Sequence, residues 1–163
     1  MNKTWRIVAD PITDPQVIDL LVYHRASMFD NSPADAVFAL DLAGLRAPGL
    51  QLYTAWEGPD LGGCAALLRR DDGTGELKAM RTHPDHLRRG VAQALLTHIL
   101  AAATAQGLYM LRLETGRAPA FEPAISLYRS AGFVECGPFS PYVENGFSRF
   151  FARALTIGPA GRA

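Results

Sequence analysis

The sequence predicts an α/β domain with a mixed central sheet of about six to seven strands, flanked by helices on both faces. Three observations carry that reading. Runs of alternating or continuous apolar residues recur between segments of helical spacing, in the order β-α-α-β-β-β-α-β-α-β-β, and strands interleaved with helices bury both faces of one sheet. The stretch Glu76–Gly107 joins an apolar-alternating run to a long Ala/Leu-rich segment through the basic turn Leu87-Arg88-Arg89-Gly90-Val91-Ala92. The length of 163 residues suits one domain with a full core, and 48% apolar against 20% charged residues excludes disorder.

The elements follow in chain order. Lys3–Ala9 alternates with bulky apolar residues and predicts a first strand, ended by Asp10-Pro11. Asp14-Pro15 supplies an N-cap and a proline at the first helical position. Val17, Leu20, Leu21, His24 and Met28 then recur at helical spacing, so a helix runs to about Phe29. After the loop Asn31-Ser32-Pro33, Ala34–Leu45 predicts a second helix, closed by Gly44, Pro48 and Gly49. Gln51–Trp56 and Gly62–Arg69 predict strands, and Asp71–Gly75 predicts a hairpin turn into the strand Glu76–Thr82. Leu108–Thr115 is apolar on both faces, as at a sheet centre. Phe121–Ala131 predicts a short helix closed by Gly132, Phe133–Cys136 begins a strand, and Ser148–Leu155 is the last strand. One domain is expected over residues 1–157, with a frayed tail over 158–163.

Sixteen basic and sixteen acidic residues give a formal net charge of zero, so no nucleic-acid partner is expected. Cys64 and Cys136 sit far apart in apolar settings and read as buried thiols of a reducing cytoplasm. His24, His83, His86 and His98 show no metal-ligand spacing, and no metal is expected. No signal peptide opens the chain and no apolar run approaches the roughly 20 residues of a membrane span. A soluble cytoplasmic protein with no membrane partner is the expectation.

The basic turn builds an anion site. The first N–H groups of a helix have no intrahelical partner, and the helix dipole adds partial positive charge beside them. Arg88 and Arg89 add fork-shaped cations suited to phosphate oxygens. Gly90 lets the backbone come close to a ligand, and the small Ala92 keeps that approach open. On the residues alone, a helix start with two solvated arginines is the competing reading.

The same stretch resembles motif A of the GNAT acetyltransferases, a strand and helix that bind the pyrophosphate of acetyl-CoA. The motif is written Arg/Gln-x-x-Gly-x-Gly/Ala. Gly90 and Ala92 fill its last two positions, and Leu87 stands where Arg or Gln is usual. The departure leaves the cradle resting on backbone N–H groups. The element order is also the GNAT order, over nearly the whole chain. The resemblance, which extends to small bacterial GNAT proteins of unsettled substrate, implies an acetyl-CoA-dependent N-acetyltransferase. Acetyl-CoA would be the co-substrate, and the acetyl group would pass directly to a primary amine of a small molecule. It implies that acetyl-CoA is held by the backbone of Met80, Arg81 and Thr82 and by Arg88, Arg89, Gly90, Val91, Ala92 and Gln93. A strand N–H such as that of Met80 would polarise the thioester carbonyl.

The segment Ala124–Phe133 resembles the family segment ending in Tyr-x-x-x-Gly-Phe, which makes Tyr128 the candidate acid toward the leaving thiolate. A core tyrosine on an amphipathic helix is the alternative. Many relatives carry Asn seven residues before that tyrosine, where this chain has Phe121. Glu76 stands fourteen residues before Gly90, the spacing of the catalytic glutamate in histone-type members. It is a candidate base, or else a solvated strand-end carboxylate. Glu114 is its rival, as base or as binder of a substrate cation. Tyr142, Glu144, Arg149 and Arg25 are further candidates for the acceptor pocket. A covalent route needs an activated cysteine, and neither cysteine has an evident partner. The other readings are a non-catalytic CoA-binding regulatory domain, a peptide or protein amine acetyltransferase, and a nucleotide-binding protein. The last lacks Gly-x-x-x-x-Gly-Lys-Ser/Thr. Family members often dimerise, so a homodimer is possible.

Overall fold

The computed structural model describes residues 4–156. The tail over 158–163 and the predicted strand's first residue, Lys3, lie outside the described residues. Seven strands form one mixed sheet: β1 (Arg6–Asp10), β2 (Leu50–Glu57), β3 (Asp60–Arg69), β4 (Thr74–Thr82), β5 (Met110–Thr115), β6 (Val134–Cys136) and β7 (Arg149–Ala154). Their spatial order is β1-β2-β3-β4-β5-β7-β6. Every neighbouring pair is antiparallel except β4 and β5. The helices are α1 (Pro15–Asn31), α2 (Leu42–Leu45), α3 (Val91–Ala105) and α4 (Glu122–Ser130). The parallel β4–β5 pair needs a crossover, and α3 supplies it.

The two faces of the sheet carry separate cores. Val91, Leu95, Leu96 and Ile99 of α3 and Ile125 of α4 pack on one face with Leu77, Leu111 and Leu113. Val17, Leu20 and Leu21 of α1 and Leu45 of α2 pack on the other with Leu52, Leu61 and Ala66. The α1 start is as its residues dictate: the Asp14 side chain accepts from the N–H of Gln16, and Pro15 occupies the first turn.

Three expectations are corrected. The continuous helix over Ala34–Leu45 does not form. A 3₁₀ turn at Ala34–Ala36 and the one-turn α2, capped by Asp41, replace it. The composition favours a helix, but Phe38 packs edge-on against Tyr142 with ring centroids 5.0 Å apart. That tertiary contact draws the middle of the segment out over the sheet, overriding local propensity. Thr4 and Trp5 do not join β1, which begins at Arg6, because Trp5 turns inward, buried over Gly62. A Cβ on Gly62 would lie 2.4 Å from the Trp5 ring, so only glycine admits the indole there. Cys64 is buried as expected, but Cys136 is exposed. It lies on the edge strand β6, whose three residues all face solvent.

The feature that positions the site is a parting of strands. β4 pairs with β5 over Thr74–Leu77 only, the last register being Leu77 with Leu113. Beyond it, β4 continues to Thr82 alongside β3 alone. Its residues are buried up to Leu77 and partly exposed from Lys78 onward. At the same place β4 carries a bulge. Ala66 pairs with Lys78 and Cys64 with Arg81, so two steps along β3 face three along β4. The extra residue is accommodated at Ala79, whose φ of 53° is left-handed.

Candidate active site

A bulge resets the alternation of side chains. Without it, Glu76 and Arg81 would point to opposite faces of the sheet. Instead Leu77 and Met80, three residues apart, both pack toward the α3 core, and Ala79 packs toward the α1 core. Arg81 is thereby brought to the face that already carries Glu76 and Lys78.

The parted strands and α1 enclose a cavity of about 160 Å³ whose titratable lining is His24, Glu76, Lys78, Arg81, Glu114 and Tyr128. Glu76 is only 1% exposed. Its carboxylate is ion-paired with Arg70 and with Lys78 Nζ (3.3 Å), and it accepts from the Tyr142 hydroxyl. Lys78 also donates to that hydroxyl at 2.9 Å. Burial and the Glu76 charge push the Tyr142 phenol upward, so it stays a donor. Tyr142 is wedged among Phe38, Phe139 and Phe150. Glu76 is therefore not the solvated strand-end carboxylate that was the alternative to a base, but is buried and held by three donors.

Glu114, on the neighbouring strand, is held differently. Burial raises its carboxyl from the ordinary value to about 7, against the opposing effects of a Ser148 hydrogen bond and the Lys78 charge. Tyr128 is buried at the end of α4, and burial raises its phenol well above 10, with the Arg81 charge opposing. Among the described residues no side chain is hydrogen-bonded to its hydroxyl. Arg81 Nε donates to Nδ1 of His24 at 2.9 Å, and its guanidinium lies 5.6 Å from the Tyr23 ring centroid. Burial and Arg81 lower His24 to about 3, so the imidazole is neutral and its proton sits on Nε2.

The turn before α3 follows the C-terminal end of β4. Gly90 is the N-cap of α3 with φ of 79°, and no side chain caps the helix there. Arg88 also adopts a left-handed φ, of 62°. Trp5 Nε1 donates to the carbonyl oxygen of Arg89 at 3.0 Å, which ties the turn to the start of the sheet. Its ring meets His86 edge-on at 5.6 Å. Val91 is buried, while Arg88, Arg89 and Gly90 are exposed. Leu87 is 60% exposed.

Of the remaining candidates, Tyr142 reaches the cavity wall through Glu76 and Lys78. Arg25 does not line the cavity; it lies over the Phe29 ring at 5.2 Å. Arg149 is ion-paired with Glu135 and Glu122, and Glu144 accepts from the Gly146 N–H. Phe121 is buried against Phe147 with ring centroids 6.1 Å apart, an apolar contact. Sequence reasoning missed the Arg81 side chain, Arg70 and Lys78. The Glu76–Lys78 spacing of two, which puts both on one face of a strand, is the signal that finds Lys78. Among the described residues no group of three or more His, Cys, Asp or Glu is placed to hold a metal, and no helix is long and apolar enough to cross a membrane.

A model of the acetyltransferase (GNAT) family matches residues 18–133. The uncharacterized N-acetyltransferase YsnE of Bacillus subtilis (strain 168) is 44% identical over 149 residues, covering 91% of this chain and 99% of that protein. A provisionally assigned acyl-CoA N-acyltransferase from Klebsiella pneumoniae superposes with a TM-score of 0.79 at 26% identity, over 93% of this chain and 98% of that one. A Bacillus subtilis acetyltransferase solved in complex with CoA superposes with a TM-score of 0.70 at 19% identity, over 94% of this chain and all of that one.

Proposed function

Because the chain belongs to the GNAT family of acetyltransferases, we propose that it moves an acetyl group from acetyl-CoA directly to the primary amine of a small molecule. It is an acetyl-CoA-dependent acyltransferase; the acceptor and the residue roles are our reading. The observation that carries this reading is the parting of β4 from β5, which leaves Lys78–Thr82 without a β5 partner beside a cavity that holds both an acid and a base candidate.

In this reading the Arg88–Gln93 turn takes the pyrophosphate on the first N–H groups of α3. The Met80–Thr82 backbone pairs with the pantetheine arm as an added strand would, and the Met80 N–H polarises the thioester carbonyl. The amine nitrogen attacks that carbon, forming the C–N bond as the C–S bond breaks. The amine's proton goes to a carboxylate and the thiolate takes one from Tyr128, which yields an amide and CoA thiol. We assign the base to Glu114 over Glu76. The Glu76 oxygens already serve Arg70, Lys78 and Tyr142, whereas Glu114, at about 7, is poised to accept a proton near neutrality.

Calorimetric titration with acetyl-CoA, CoA and ATP, followed by thiol release with a panel of amines, tests the function. Binding of acetyl-CoA but not ATP, with thiol release by small amines, is the expected result. Binding without turnover of any amine or peptide would favour a regulatory CoA-binding domain.

The base assignment has its own test. Glu114 must be ionised to accept a proton, and its pKa lies above the usual carboxylate range. kcat/KM, expressed per unprotonated amine, should therefore fall as pH drops below about 7, by about tenfold per unit. Glu114→Gln should remove that inflection and lower kcat about 100-fold. An inflection that persists in the variant would move the base to Glu76 or a water chain.

A further inference from the structure

The charges around the cavity do not balance locally. Glu76 is matched by Arg70 and Lys78. Arg81 is half-buried, and no carboxylate lies within salt-bridge distance of it among the described residues. Its one hydrogen bond runs from Nε to neutral His24. That bond uses the side edge of the guanidinium and leaves the two terminal Nη groups as a fork. A half-buried cation without a counter-charge is costly, and a fork of two parallel donors matches a carboxylate.

The donor substrate has no claim on this fork. The negative charges of acetyl-CoA lie on its phosphates, which the Arg88–Gln93 turn receives, while the pantetheine arm and the acetyl group are uncharged. Arg81 stands instead beside Tyr128 and on the face that carries Glu114 and Lys78. The geometry points to an acceptor that is an amine bearing its own carboxylate, an amino acid, with the carboxylate on the Arg81 fork and the amine directed to Glu114. This rests on the amine-acetyltransferase reading above and names its substrate class. His24 is the positioning residue: it holds Nε so that the fork faces the cavity. The bulge at Ala79 is what makes the site, since regular alternation would turn Arg81 away from Glu114's face.

A site built to hold a carboxylate also rejects amines that lack one, because they leave the guanidinium desolvated and unpaired. A charge-assisted pair of this kind is worth about 10- to 100-fold in kcat/KM. The experiment is thiol release at saturating acetyl-CoA with matched pairs: glycine and glycinamide, L-phenylalanine and its carboxamide, 4-aminobutyrate and 4-aminobutanamide. The α-amino carboxamides carry the less basic, more readily deprotonated amine, so basicity favours them and a preference for the acid reports the carboxylate. At least one acid should exceed its carboxamide by about 10-fold or more in kcat/KM. Arg81→Gln should raise KM for that acid about 10-fold and erase the preference, while acetyl-CoA affinity stays within about twofold and kcat falls for acid and carboxamide alike, because the Arg81 charge also stabilises the Tyr128 phenolate. Arg81→Lys should restore part of the preference, since it keeps the charge but not the fork.

Equal or better use of the carboxamides by the wild type would overturn the inference and leave the acetyltransferase reading standing. So would an Arg81→Gln loss that falls on acetyl-CoA affinity. Thiol release by neither member of any pair, with acetyl-CoA still bound, would take down the small-amine reading itself and the inference with it.

Discussion

Tyr128→Phe is expected to lower kcat about 100-fold and to leave acetyl-CoA affinity close to that of the wild type, because the change removes one oxygen and keeps the packing. The ring is buried against Phe133, with centroids 5.8 Å apart, and Phe fills the same space. What is lost is the proton delivered to the departing sulfur. Burial keeps the phenol protonated across the neutral range. A phenol above pKa 10 is a weaker acid than a thiol near 8.5, so full transfer to a free thiolate runs uphill. Two features of the site ease that step. Arg81 stabilises the phenolate side, and the proton is shared while the C–S bond is still breaking. The loss should therefore lie at the low end of the range for general acids, about 100-fold and not 10,000-fold. Because the thiolate's need for a proton grows as pH rises, the deficit should be larger at pH 9 than at pH 6.5. Unchanged kcat, measured by single-turnover acetyl transfer, would remove Tyr128 from the acid role.

How much of this was legible beforehand depended on the range of the interactions. The strands, α1 and α3 follow from periodicity and local punctuation, such as Asp14-Pro15 before α1 and Gly90 before α3. Ala34–Leu45 failed because Phe38 answers to Tyr142, more than a hundred positions away in sequence, and not to its helical neighbours. Glu76 was found by its spacing from Gly90, but its engagement was not. Arg70, Lys78 and Tyr142 converge on it from a preceding strand end, its own strand and a distant loop.

The bulge was the least legible feature. Glycine usually announces a left-handed bulge residue, and here an alanine holds it, so counting by twos along β4 puts Arg81 on the wrong face. The elevated carboxyl of Glu114 is likewise a property of its burial and of the nearby Glu76 charge, set against the Ser148 hydrogen bond and the Lys78 charge, none of which its neighbours in sequence disclose.

Gly90→Gln is expected to weaken acetyl-CoA binding by about 100-fold or more, and its cause can be separated into two parts. Gly90 holds a φ of 79°, a region that costs an L-residue about 1–2 kcal/mol. A Cβ there meets no protein atom within 4 Å, so the folded protein itself leaves room for a side chain. The first part is therefore backbone strain, which Gly90→Ala shares. It should appear as a lower melting temperature and, if the turn relaxes, as a loss of affinity of about tenfold for 1.4 kcal/mol. The second part is the side chain standing over the first N–H groups of α3, where the pyrophosphate is read to sit. Only Gly90→Gln carries it, and it should add a further tenfold or more. The relevant measurement is acetyl-CoA affinity by calorimetry for both variants, at one temperature well below both thermal midpoints, with the midpoints measured separately. If the alanine and glutamine variants bind equally well, strain is the whole effect and the pyrophosphate lies elsewhere. If glutamine alone abolishes binding while both fold, the cradle is at the N-terminus of α3. The Trp5 bond to the Arg89 carbonyl would then be what keeps that cradle in register with the acetyl group at Met80.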